Sequence, residues 1–256
     1  MDTEAKPSER DRSSGPAAGS EEGSRFSRIP DRLTASISWR RTAVLGAVCS
    51  VFVLLLSAFV VQPFLIPSGS MEPTLRVGDR VLVNKLAYRF GSVPQRGDVV
   101  VFDGAGSFVQ EAPQENPVTG LLHGVAASLG LAEPAETDYV KRVVGVGGDR
   151  VVCCDRRGRV EVNGRPVDEG YLYPGDAPSG VGFDIVVPDG ALWMMGDHRS
   201  NSRDSRDHLG EPGGGMVPVD MVIGRVDWIG WPLGRLGSLP DSGAFAGARV
   251  TGGAHG

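Results

Sequence analysis

Serine, lysine and histidine are the residue types in this chain that could supply a nucleophile and its base. Ser68, Gly69 and Ser70 lie between two prolines, Pro67 and Pro73. Proline restricts the backbone around such a turn, so a hydroxyl can be presented while backbone N–H groups point toward a ligand. A plain linker fits the same residues, because serine and glycine are common in loops. The turn therefore needs a nearby base before it indicates catalysis.

Lysine is scarce in this chain, so the position of each lysine is informative. Of 26 lysine and arginine residues, only Lys6, Lys85 and Lys141 are lysine. A bias toward arginine explains the scarcity, but only lysine can readily lose its proton. Alternation around Lys141 predicts a strand with Tyr139, Lys141 and Val143 on one face. Burial there would lower the lysine pKa from about 10.4 to near 8, so that it could accept a serine proton.

Histidine is the usual base for a nucleophilic serine, and it provides the alternative. Asp197 and Asp204 flank His198, which makes it the strongest candidate among the histidines His123, His198, His208 and His255. A loop this polar more often forms a hydrogen-bonded turn with a surface histidine. We therefore expect His198 to be dispensable, with Lys141 as the competing base.

Residues 42–61 predict one transmembrane helix. These twenty residues carry no charge, and at about 1.5 Å per residue they span the roughly 30 Å hydrocarbon core of a bilayer. A cleaved signal peptide has a shorter apolar region and a shorter leader, although Ser68 and Ser70 form a small-x-small pattern. A buried soluble helix would normally show a polar face. The positive-inside rule predicts a cytoplasmic N-terminus, because the arginines Arg25, Arg28, Arg32, Arg40 and Arg41 lie shortly before the segment.

The sequence after this segment predicts a mostly β, antiparallel domain outside the cytoplasm. Short alternating or β-branched segments are separated by turn pairs such as Asn163-Gly164, and no ten-residue helical pattern intervenes. The predicted strands are 80–88, 98–102, 139–146, 149–153, 160–162, 184–187, 191–195 and 221–229. The predicted organisation is a disordered cytoplasmic tail over 1–41, the helix over 42–61, a β-rich domain over 62–235 with an insertion at 104–137, and a flexible tail over 236–256. Residues 120–131 within the insertion predict a short helix.

Composition disfavours several classes of partner and ligand. The net charge is −5, and no basic stripe with interleaved aromatic residues is present, so nucleic-acid binding is not expected. No cluster of cysteine and histidine has metal-ligand spacing, and we expect no cofactor. The three cysteines predict no disulfide framework. Cys153 and Cys154 are adjacent and would point to opposite faces of a strand, which disfavours a bridge between them.

Five motifs follow the predicted span in a fixed order. They lie at 67–75, 78–85, 96–102, 139–149 and 195–206, and they include Pro67-Ser68-Gly69-Ser70-Met71 and Tyr139-Val140-Lys141-Arg142. In this order the chain resembles bacterial type I signal peptidases. These are membrane-anchored Ser/Lys endopeptidases that remove signal peptides from exported preproteins. The resemblance extends over most of residues 62–230.

The resemblance implies a role for each matching residue. Ser70 would be the nucleophile and Lys141 the general base, with the Ser70 N–H and the Ser68 hydroxyl as oxyanion donors. Ser202 would orient the lysine, supported by Asp197, Asp204 and Arg206. The walls of shallow pockets for small side chains, at the first and third positions before the cut, would be Phe64, Ile66, Met71, Leu75, Tyr139 and Val140. The implied partners are preproteins and the lipid bilayer. One departure is His198-Arg199-Ser200, where members commonly have Asn-Arg-Asp.

Three other functions are compatible with parts of the sequence. A self-cleaving Ser/Lys repressor would need a DNA-binding helix-turn-helix and no anchor, the reverse of what is predicted here. A membrane-anchored scaffold with an inactive site would not need both Ser70 and Lys141. A hydrolase that uses His198 as its base is the third.

Overall fold

The computed structural model of the chain describes residues 39–109 and 137–248. A helix, α1, spans Trp39–Phe59. The strands are β1 Val61–Leu65, β2 Arg80–Asn84, β3 Val99–Asp103, β4 Asp138–Val146, β5 Arg150–Cys153, β6 Val160–Val162, β7 Arg165–Pro166, β8 Phe183–Val186, β9 Ala191–Met195, β10 Val217–Pro218, β11 Val222–Trp231 and β12 Gly237–Ser238. The predicted helix over 120–131 and most of the predicted tail over 1–41 lie outside the described residues.

Helix α1 is long and apolar enough to cross a membrane. The window from Trp39 to Leu56 has a mean hydropathy of 1.6. The helix begins three residues before the start of the predicted span and ends two residues before the end of that span. It continues directly into the domain, because β1 starts at Val61.

The domain is built from two antiparallel sheets, as the strand pattern predicts. The larger sheet has the order β1-β2-β11-β3-β4-β9-β10, with β12 on β11, and the smaller has the order β7-β6-β5-β8. Strand β4 lies inside the larger sheet, between β3 and β9, which explains why its centre is buried. The predicted fold class, mostly β and antiparallel with one N-terminal apolar helix, is confirmed.

Strand β1 is the longest of the strands that the sequence pattern missed, the others being β7, β10 and β12. It pairs with β2 and places Pro63 opposite Leu82. Proline donates no N–H to a sheet and is tolerated in an edge strand. Because β1 is the edge of the larger sheet, it accommodates Pro63.

The C-terminal part of the chain and the cysteines differ from expectation. Instead of a free tail from residue 236, β12 pairs with β11, and Phe245 packs into the core with 5% of its surface exposed. Cys153 and Cys154 are joined by a disulfide, so the expectation that they do not bridge is wrong. Cys154 lies outside the strand, because β5 ends at Cys153. The two side chains are therefore not held on opposite faces of one strand.

Candidate active site

Ser70 lies in a single 3-10 turn, Gly69–Met71, that follows β1. The buried side chain of Met71 fixes the turn to the core. The backbone carbonyl of Met71 also accepts a hydrogen bond from Leu75 N at 2.8 Å. Ser70 is buried, with 7% of its surface exposed. The Ser68 hydroxyl lies 3.3 Å from Ser70 Oγ. The hydroxyl of Ser70 is thus held at a fixed place on a short, anchored turn.

Lys141 reaches the same place from the middle of β4. Its Nζ lies 2.8 Å from Ser70 Oγ, although the two residues are 71 positions apart in sequence. Only 3% of the lysine surface is exposed. The Tyr139 ring centroid is 6.0 Å from Nζ. The sheet therefore brings together the serine and the lysine that the sequence singled out.

Burial changes the proton affinity of Lys141. Loss of solvent lowers the lysine pKa from 10.5 to about 8, although the negative charges of Asp204 and Asp197 partly oppose the shift. A low-dielectric environment disfavours an ammonium ion, and this is the effect expected from a buried strand position. Near neutral pH a useful fraction of the amine is therefore unprotonated and able to accept a proton.

Asp204 organises the loop that follows β9. Its carboxylate accepts hydrogen bonds from Gly196 N, Ser202 Oγ and two guanidinium nitrogens of Arg206, all between 2.8 and 2.9 Å. Burial alone would raise the pKa of Asp204, but the bonds and charge of Arg206 keep it below its usual value. The predicted ion pair is present, and the aspartate remains an anion.

Ser202 has a different partner from the one expected. Its hydroxyl donates to Asp204, and within the described part of the chain the hydrogen bond of Lys141 Nζ is to Ser70. A serine that oriented the lysine directly would bond Nζ itself. In this geometry Ser202 is linked to Lys141 through Asp204, because its hydroxyl bonds the carboxylate that raises the pKa of the lysine.

Asp197 is held by Arg142, a residue that the sequence analysis did not assign to the site. Arg142 Nε and Nη2 donate to the two carboxylate oxygens at 2.8 and 2.6 Å, and Thr74 Oγ1 donates at 2.5 Å. The guanidinium also lies 4.1 Å from the centre of the Tyr171 ring. The period-two pattern places Arg142 on the face opposite Lys141, so it did not indicate this contact. The bond from Thr74 also ties the serine segment to the β9 loop.

A third buried ion pair supports the β9 loop. Arg199 pairs with Glu169, and its Nε donates to Gly196 O at 2.8 Å. Ser200 donates through N and Oγ to Asp176, at 3.1 and 2.8 Å. The sequence resemblance implies an aspartate at the position of Ser200, and in this structure a neighbouring loop brings the carboxylate of Asp176 to Ser200.

His198 and His208 are the histidines within residues 39–109 and 137–248, and neither is hydrogen-bonded to Ser70 Oγ. His198 Nδ1 lies 3.2 Å from Gly69 O, and its ring stacks on Tyr173. His208 contacts Glu211 and stacks on Phe108. The expectation of a surface position for His198 is wrong, because its ring is half-buried against the serine turn.

An apolar groove of about 520 Å³ opens beside Ser70 and Lys141. Five of the predicted pocket residues line it: Phe64, Ile66, Met71, Tyr139 and Val140. Leu75 does not, because it is fully buried in the core beneath the turn. The groove is also lined by residues that were not predicted to form the pocket, namely Leu65, Pro67, Val77, Gly78 and Asp138.

The described ranges contain no group of three histidine, cysteine or acidic residues arranged to hold a metal ion. The acidic residues near the site are instead occupied by arginine, as Asp197 is by Arg142 and Asp204 by Arg206. The groups in the centre of the site are a hydroxyl and an amine.

Known proteins resemble this chain over most of its length. The family model described as signal peptidase, peptidase S26, matches residues 39–231. Signal peptidase I of Mycobacterium tuberculosis (strain ATCC 25618 / H37Rv) is 41% identical over 245 residues, covering 87% of this chain and 83% of the relative. Signal peptidase I of Pseudomonas aeruginosa is 32% identical over 235 residues, covering 74% and 72%. A crystal structure of a signal peptidase I from Enterococcus faecalis V583 is 21% identical, covers 52% of this chain and 96% of that one, and has a TM-score of 0.33.

Replacing Gly196 by alanine should destabilise the site. A Cβ at this position would collide with the Ser202 side chain and with Ser70 O. We expect the free energy of unfolding to fall by about 1–3 kcal/mol, the usual cost of overpacking. Thermal or urea unfolding of the purified chain measures the change. Gly180→Ala is the matched control, because a Cβ there meets nothing within 4 Å. Equal stability of the two variants would contradict the packing described here.

Proposed function

Because the chain belongs to the signal peptidase family S26, we propose that it cleaves signal peptides from preproteins with Ser70 as nucleophile and Lys141 as general base. The observation that carries this proposal is the 2.8 Å distance between Ser70 Oγ and Lys141 Nζ. The lowered lysine pKa, about 8, supports it. Both groups also face the apolar groove, where a peptide can bind.

The first chemical step forms an acyl-enzyme. The neutral Lys141 amine takes the proton of the Ser70 hydroxyl as the oxygen attacks the scissile carbonyl carbon. The carbonyl π electrons move to its oxygen and give a tetrahedral oxyanion. When this intermediate collapses, the carbon–nitrogen bond breaks and the lysine ammonium gives its proton to the leaving amine. Lys141 is then neutral again and can activate the water that releases the acyl group.

The oxyanion needs hydrogen-bond donors in a fixed place. The Ser70 backbone N–H and the Ser68 hydroxyl are the proposed donors, and both belong to the short turn that carries the nucleophile. Removing one such donor typically costs about 2.7–4 kcal/mol of transition-state stabilisation. The donors act at no reorganisation cost because the turn is already anchored by Met71.

The groove supports a preference for small residues at the first and third positions before the cut. Phe64, Ile66, Met71 and Val140 line it and are each at least 92% buried, so their side chains already fill the space below the binding surface. In an extended peptide, alternate side chains point to the same side. The first and third side chains would therefore both face this floor, and long side chains there would collide with it.

The site is proposed to act at a membrane, with α1 as a single-pass anchor. Helix α1 has the length and hydropathy of a span, and the arginines that precede it favour a cytoplasmic N-terminus and an extracytoplasmic domain. A second observation supports contact with a bilayer: β2 and β11 expose the large apolar residues Leu82, Trp228 and Trp231, and Leu233 is exposed in the 3-10 turn that follows β11. Tryptophan is enriched at membrane–water interfaces. Tethering enzyme and preprotein to one bilayer raises their effective concentration.

The alternatives have weaker support. A histidine-dependent hydrolase would need His198 on the Ser70 hydroxyl, whereas Nδ1 of His198 lies against Gly69 O. An inactive scaffold would have no need to bury an amine beside a hydroxyl, because burying a polar group is costly. We therefore keep the Ser70/Lys141 peptidase as the proposal.

Removing either member of the proposed pair should abolish processing. Ser70→Ala lacks the nucleophile, Lys141→Ala lacks the base, and Lys141→Arg keeps a cation that does not lose its proton. The purified chain is incubated with a preprotein in detergent or vesicles, and mass spectrometry locates the cut. Lys85→Ala is the control, because Lys85 bonds Gln62 away from the groove. Processing by Lys141→Arg at the wild-type rate would contradict the assignment of the base.

Activity should rise on the alkaline side of neutrality. The active form of Lys141 is the neutral amine, and its population increases with pH until the pKa of about 8 is passed. Below that value kcat/KM should increase roughly tenfold per pH unit, and above it the rate should level off. A pH–rate profile measured between pH 5 and about 10 tests this. A limb centred near 6.5 would instead indicate a histidine.

A further inference from the structure

The peptide group between Gly69 and Ser70 holds a hydrogen-bond acceptor and the proposed oxyanion donor in one rigid plane. Its carbonyl oxygen is Gly69 O, and its N–H is the Ser70 N–H, the proposed oxyanion donor. A trans peptide is planar, so these two groups point in opposite directions. Any contact that fixes the carbonyl oxygen therefore also fixes the direction in which the N–H points.

His198 contacts the carbonyl groups on both sides of the nucleophile. Its backbone N–H donates to Ser70 O at 3.1 Å, and its ring Nδ1 lies 3.2 Å from Gly69 O. A carbonyl oxygen only accepts, so Nδ1 carries the proton in this contact. Gly69 O also accepts a hydrogen bond from Glu72 N at 3.1 Å, within the turn itself. The carbonyl is thereby held from within the turn and from the β9 loop.

The imidazole ring of His198 is itself held in place. It stacks on the Tyr173 ring, with 3.9 Å between ring centres and 6° between planes. Tyr173 N donates to Asp197 O at 3.0 Å, which fixes the tyrosine to the residue that precedes His198. The Arg199–Glu169 pair fixes the residue that follows. The Nδ1–H group is therefore aimed at Gly69 O by its surroundings and does not depend on the substrate.

We propose that His198 is a positioning residue that aims the Ser70 N–H at the oxyanion by holding Gly69 O. The inference rests on the proposed function, because it assigns the support of that same oxyanion site. The histidine does not exchange protons with the substrate. It acts by fixing a peptide plane and by polarising it, since hydrogen bonds in series strengthen one another.

Three substitutions separate the two properties of the ring. His198→Asn keeps an N–H donor at the position of Nδ1 and loses the stacked ring. His198→Phe keeps the ring on Tyr173 and loses the donor. His198→Ala loses both. The backbone bond to Ser70 O is unchanged in all three, so each variant tests the side chain alone. Arg203→Ala, at an exposed position of the same loop, is the control.

The full chain is assayed on a preprotein, with kcat and KM determined separately and thermal unfolding recorded for each variant. We expect His198→Phe and His198→Ala to lower kcat roughly tenfold, a fraction of the effect of deleting an oxyanion donor. This revises the sequence-based expectation that His198 is dispensable, because Nδ1 of His198 lies 3.2 Å from Gly69 O. KM should stay the same, because His198 does not line the groove. His198→Asn should retain kcat within about twofold, and so should Arg203→Ala.

Each outcome of this assay decides the question. A His198→Phe variant with the wild-type kcat would overturn the proposal, because the donor would then do nothing. So would a His198→Asn variant as slow as His198→Ala, or a loss of kcat that follows the loss of thermal stability. Complete inactivity of all three variants, equal to that of Lys141→Ala, would point to histidine as the base. A wild-type chain that cleaves no preprotein would overturn the proposed function, and this inference with it.

Discussion

The burial of one amine beside one hydroxyl is the constraint on which the rest of the site depends. Lys141 is 97% covered by its surroundings in terms of accessible surface, and this loss of solvent lowers its pKa to about 8. An exposed lysine would be protonated at neutral pH and could not act as a base. The strand position achieves this because β4 has a neighbour on each side. The sheet thus does chemical work by excluding water from one side chain.

The charges around Lys141 are arranged so that its pKa remains lowered. Asp197 and Asp204 are anions close to the lysine, and each raises its pKa. Each is also paired with an arginine, Arg142 for Asp197 and Arg206 for Asp204. The positive charges of the two arginines offset the negative charges of the carboxylates, which would otherwise keep Lys141 protonated. Buried acids can therefore fix the β9 loop by hydrogen bonds without cancelling the desolvation of the amine.

The sequence predicts the strands well and the partners of side chains less well. Alternation or β-branched segments located β4, β6 and β9, although only β6 alternates between buried and half-buried residues, whereas β4 and β9 are buried over most of their length. It missed β1, since a proline at a sheet edge looks like a linker. The family resemblance assigned Ser202 to the lysine and Leu75 to the groove, and the polarity of the loop predicted a surface position for His198. Those three depend on how the β9 loop folds against the serine turn, a tertiary contact with no local sequence signature.

The most direct test of the central claim is a titration of Lys141 itself. The chain has three lysines, so lysine labelled with ¹³C at the ε carbon gives one NMR signal for each, and Lys141→Arg identifies the signal that belongs to Lys141. The account predicts that this signal titrates with a midpoint of about 8 in the folded chain. A midpoint at the ordinary lysine value of 10.5 would mean that the amine is protonated at neutral pH, and it would contradict the assignment of Lys141 as the base.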